Sequence, residues 1–87
     1  MSLLTLIREN AILANIEKAG DAYKFLTEAI HHDAKSGACY GEYSVADYPQ
    51  EQRLAALKAI KLQGFNALFK DESYARIWVS WMPKHPR

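Results

Sequence analysis

Apolar residues recur every third or fourth position from Ile12 through Ile16, Ala19, Tyr23, Leu26 and Ile30 to Ala34, the stripe of an amphipathic helix. Residues 3–35 therefore read as helix, with Ser2 or Thr5 able to cap the start. Arg8, Glu17, Lys18, Asp21, Lys24, Glu28 and Lys35 fall mostly off the stripe. Gly20-Asp21 interrupts it. Glycine costs about 1 kcal/mol in a helix interior, and Asp21 can cap a second helix, so a break and one continuous helix both fit. Leu3, Leu4, Leu6 and Ile7 form a further apolar cluster that the stripe does not absorb, either folded back on the domain or presented for docking. Ser36-Gly37 supplies a left-handed stop, preceded by His31, His32 and Lys35 at the negative end of the helix dipole.

Beyond the stop, Tyr40-Gly41 reads as a turn or bulge, and Glu42 to Ala46 alternates as a short strand with Tyr43 and Val45 inward. Asp47, with Gln50 three residues on and Pro49 between, has a capping-box pattern. A second helix then runs from about Pro49 to Gln63, with Leu54, Leu57 and Ile60 inward and Glu51, Arg53, Lys58 and Lys61 in water. Gly64 ends it. Phe65 to Lys70 alternates as a strand, Asp71-Glu72 turns the chain, and Tyr74 to Trp81 has the β-branched and aromatic content of a central strand. By twos, Ala75, Ile77, Val79 and Trp81 face a core, and Tyr74, Arg76, Trp78 and Ser80 face away.

The expected fold is α+β: two helices on one face of a three-stranded mixed sheet, in the order α-β-α-β-β. A crossover sets strands one and two parallel. The hairpin and the hydrophobicity of the last strand place that strand between them, in order 1-3-2. Residues 1–82 form a single domain, and 83–87 a basic tail, Pro-Lys-His-Pro-Arg.

Composition narrows the function. With 49% hydrophobic and 24% charged residues in 87, the chain has the content of a folded domain rather than a disordered one. The net charge of +1 gives no global pull toward nucleic acid or anionic membrane. It is unevenly spread. Residues 1–50 hold four basic and seven acidic side chains, net −3, and residues 51–87 hold seven and three, net +4. That asymmetry fits internal complementarity or head-to-tail packing of copies. The single cysteine, Cys39, excludes an intrachain disulfide and suits a reducing cytoplasm. Met1 to Ile7 lacks a basic leader, and no apolar run approaches the roughly 20 residues of a membrane span.

Catalytic and cofactor chemistry finds little to stand on. Glu28, His31 and His32 have helical spacing for two metal ligands, but dipole complementarity at a helix end explains them, and no metal or cofactor is expected. Cys39 lacks any nucleophile signature and reads as a small buried thiol. The four glycines never gather into a phosphate loop. The chain is therefore expected not to be an enzyme. Tyr74, Arg76 and Trp78 on the open sheet face have the chemistry of a protein–protein anchor; the alternative is stacking of single-stranded bases.

The layout resembles small proteins encoded by tailed bacteriophages and prophages. The likeness lies in an amphipathic helix, the strand Gly41-Glu42-Tyr43-Ser44-Val45, a helix stopped by Gly64-Phe65 and a last strand ending Val79-Ser80-Trp81, over roughly residues 30–82. It implies a virion or assembly component, or a host-takeover protein, in the host cytoplasm or built into a particle. The expected partner is another copy or a phage assembly, and no membrane. Contact is expected at Leu3, Leu4, Leu6, Ile7, Tyr74, Arg76 and Trp78.

Overall fold

A computed structural model describes residues 2–81. Its elements are α1 (Leu3–Ala19), α2 (Asp21–Lys35), β1 (Tyr40–Ser44), α3 (Gln50–Leu62), β2 (Asn66–Phe69) and β3 (Arg76–Ser80). The fold is α+β, with three helices rather than the two expected. Gly20 breaks the long stripe: its φ of 52° and ψ of −126° suit glycine and end α1, while its N–H still donates to Ile16 O at 3.1 Å. At the other end, the Thr5 N–H donates to Ser2 Oγ at 3.1 Å, a side-chain N-cap.

The sheet has the order β1-β3-β2. Both ladders are antiparallel, so the expected mixed sheet is corrected. The crossover does leave β1 and β2 pointing the same way, but β3 lies between them, so no parallel pair forms. In register, Tyr43 and Phe69 flank Ile77, while Gly41 and Ala67 flank Val79. These positions face the helices. The buried cluster joins Ala19, Ala22, Leu26 and Ile30 to Tyr43, Val45, Ala67, Ile77 and Val79, with Ala55, Ala56 and Ile60 of α3 among them. Leu26, Ile60, Ile77, Val45 and Val79 are fully buried, each contributing roughly 1.5–3 kcal/mol relative to exposure.

Several boundaries shift for physical reasons. β1 begins at Tyr40, two residues before the expected start, and Gly41 is a strand residue rather than a turn. The Tyr43 side chain folds back over Gly41 so that its hydroxyl donates to Asp33 Oδ2 at 2.7 Å; a Cβ at Gly41 would collide with that hydroxyl. Asp47 makes no cap. α3 begins at Gln50 behind Pro49, with no side-chain cap hydrogen bond. Leu54 is exposed rather than inward, and Cys39 is exposed rather than buried.

Arg53, expected in water, is half-buried and ties three segments together. Its Nε donates to Tyr48 O at 2.7 Å, its Nη1 to Ser73 O at 3.1 Å and Tyr74 O at 3.2 Å, and its Nη2 to Ala46 O at 3.4 Å. The planar guanidinium suits a cluster of carbonyls converging from different directions. Trp81 closes the opposite end of the sheet, its Nε1 donating to Ala38 O at 2.9 Å. The expected basic tail, 83–87, lies outside the described residues.

Candidate interaction surfaces

Two surfaces carry the residues singled out by sequence, and they differ in kind. The first is α1. It packs chiefly along α3, while α2 packs on β1 and α3 on β2. Ala11, Ile12, Asn15 and Ile16 are half-buried and Ala19 is buried, all on the side facing α3. Residues 2–10 are exposed without exception. Leu3 is 72% exposed, Leu4 67%, Leu6 47%, Ile7 54% and Leu13 63%.

Successive residues step about 100° around a helix, which puts Leu3, Leu6, Ile7, Leu13 and Ala14 on the side away from α3. The helix is therefore apolar on two opposite faces. A helix apolar all round is normally enclosed. Among the described residues, only one face is covered. Leu4 alone of the N-terminal four lies toward the α3 side.

The second surface is the sheet face away from the helices. Register places Tyr40, Glu42 and Ser44 beside Ser80, Trp78 and Arg76, with Asn66 and Leu68 on the other flank. Trp78 looks away from the helical layer and is half-buried among its neighbours, with Tyr40 at a ring-centroid distance of 6.5 Å. Tyr40 is 61% and Leu68 49% exposed. Lys70 Nζ meets Glu42 Oε2 at 3.9 Å across the central strand, and Arg76 Nε meets Asp71 Oδ2 at 3.7 Å. Among the described residues, both cations of this face are thus drawn into surface ion pairs.

Tyr74 does not belong to that face. It lies in the loop before β3 with φ of 58°, and its ring packs on Phe69 at 4.9 Å, at the helix-facing edge of the sheet. The expected row Tyr74-Arg76-Trp78 is corrected to Tyr40-Trp78-Arg76 with Leu68. The loop itself accounts for the change. The Asp71 carboxylate accepts from Ala75 N–H at 3.1 Å and the Ser73 hydroxyl at 3.0 Å, wrapping the chain before the strand starts. The Ala75 N–H, the Ser73 hydroxyl and the Arg76 charge hold the Asp71 carboxyl below its ordinary range.

His31, His32 and Cys39 are all exposed. His31 borders an open cleft of about 360 Å³ floored by Ile30, Ile60 and Phe65, where Gln63 Nε2 donates to the Tyr23 hydroxyl oxygen at 2.9 Å. His32 lies on a shallower neighbouring surface with Glu28 and Lys35. Among the described residues no group of three His, Cys, Asp or Glu side chains could hold a metal ion, and no helix is long and apolar enough to cross a membrane.

Leu13, Tyr40 and Leu68 are exposed apolar residues that the sequence reading missed. Leu68 was recoverable, because it alternates against Ala67 and Phe69. No known family model, curated protein or solved structure matches the chain.

Proposed function

We propose that this chain is a non-enzymatic, macromolecule-binding module, an assembly or interaction protein of the kind its phage-like layout suggests. The outer face of α1 is its principal contact, and the open sheet face around Trp78 a secondary one. One observation carries the reading: four large apolar side chains on the outer face of a single helix, Leu3, Leu6, Ile7 and Leu13, stand 47–72% exposed, with Leu4 exposed at the same end. Water-facing apolar surface concentrated on one element is the mark of a docking site rather than of scattered surface leucines. Tyr40, Leu68 and Trp78 add the aromatic and aliphatic content typical of interface centres.

Single-stranded nucleic acid fits the sheet face less well. Lys70 and Arg76 are each within ion-pair distance of a carboxylate, whereas strand binding needs a cationic track beside the stacking rings.

Light scattering of the purified protein, alone and mixed with the products of its neighbouring genes, reads assembly. Leu6→Asp combined with Leu13→Asp should abolish it at an unchanged melting temperature, because both side chains already face water. Assembly that survives this double change, or that is lost only in proportion to stability, overturns the reading.

A further inference from the structure

The inference here rests on α1 being a docking surface and names its occupant. We propose that the outer stripe of α1 pairs with the same stripe of a second copy of this chain, the two helices parallel and in register, with Asn10 facing Asn10. The stripe is Leu3, Leu6, Asn10 and Leu13, at steps of three, four and three, and all four are exposed. Those steps are the a and d positions of a heptad seam. Ile7 and Ala14 flank it, also exposed. The α3 contact uses the opposite side of the helix, so a second copy docks without disturbing the monomer's own packing.

Asn10 selects the partner. It is the one polar residue inside the seam. Against a leucine its amide would lose water with no replacement. Against the same amide of a second copy, donor and acceptor satisfy each other. An antiparallel pair sets a positions against d positions, placing Asn10 opposite Leu6 or Leu13; the parallel pair sets it opposite itself. Charge agrees with identical copies meeting here. Arg8, Glu9 and Lys18 lie off the seam, so no like charges oppose each other between Leu3 and Leu13. Glu17 occupies the next seam position, where two carboxylates would face each other, and ends the contact. Fewer than two heptads cover less than the roughly 1,600 Å² of a standard interface, which puts the pairing in the weak, transient class, with an expected dissociation constant on the order of micromolar.

Sedimentation equilibrium of the full chain, from about 1 to about 500 µM, should show a monomer–dimer equilibrium. Leu6→Asp should weaken it by about 100-fold with the melting temperature unchanged, and Glu17→Leu should tighten it by about tenfold by extending the seam. In a Cys39→Ser background, Asn10→Cys should oxidise to a disulfide-linked dimer while the off-seam Arg8→Cys does not. A chain monomeric over the whole range, a dimer indifferent to Leu6→Asp, or cross-linking at position 8 instead of 10 overturns the proposal. Where the chain alone is monomeric but Leu6→Asp still abolishes assembly with its neighbouring gene products, self-pairing falls and the docking surface stands. Where neither assembly responds to Leu6→Asp, both fall.

Discussion

α1 and α2 are consecutive halves of one apolar stripe, separated by Gly20, and they use it in opposite ways. α2 buries Ala22, Leu26 and Ile30 against the sheet and α3, and turns polar residues outward. α1 buries only Ala19 and keeps a second apolar face in water. Periodicity identifies which residues can be buried together. It does not say whether the covering surface belongs to the same chain. The excess apolar content of α1, set beside the single-faced α2, is what distinguishes a helix whose apolar surface the chain itself covers from one that leaves an apolar face in water.

The sharpest way to break that contrast is truncation on each helix. Leu26→Ala should cost roughly 2–5 kcal/mol in urea denaturation, the range for a fully buried leucine, while Leu6→Ala should stay within about 0.5 kcal/mol. Equal losses would mean that α1 is as structural as α2. Next in size is the joint between them. Gly20→Ala forces a side chain into a backbone conformation that favours glycine and should cost about 1–3 kcal/mol, read as a lowered denaturation midpoint. A neutral result would mean that α1 and α2 can merge at no expense.

The smallest effect concerns how α2 is fastened to β1. Burial, then the Asp33 hydrogen bond and charge, raise the Tyr43 hydroxyl above the ordinary tyrosine range. The folded state therefore holds this proton more tightly than the unfolded chain does. The stabilisation is complete below the unfolded value of about 10 and is lost as pH rises beyond it. Tyr43→Phe should flatten the alkaline limb of a stability–pH profile; an unaltered limb would show that the contact with Asp33 does not hold α2 to β1.

Much of the frame was legible in the sequence because strong local rules agreed. The β-branched and aromatic run at Ile77-Trp78-Val79 marked the central strand, Gly64 the end of α3, and alternation the inward Ala67 and Phe69. The order β1-β3-β2 followed from crossover and hairpin geometry. What escaped was decided by contacts remote in sequence. Gly41 reads as a turn, yet it sits in a strand because the Tyr43 ring lies over it. Arg53 looks like a solvent charge, yet it gathers carbonyls from Ala46, Tyr48, Ser73 and Tyr74. Tyr74 leaves the open face because Asp71 wraps the loop before β3. Leu13 was missed because its stripe interleaves with that of Ile12 and Ile16, and one apolar face was enough to account for a helix.

The strand order also governs how the molecule comes into being. β1 and β2 have no ladder with each other, and their shared partner is the last of the three to leave the ribosome. No sheet hydrogen bond can form on a nascent chain until β3 has emerged, whereas α1, with its two oily sides, precedes β3 in the chain. The growing polypeptide thus shows its most apolar exposed helix before the sheet that anchors the fold can be made.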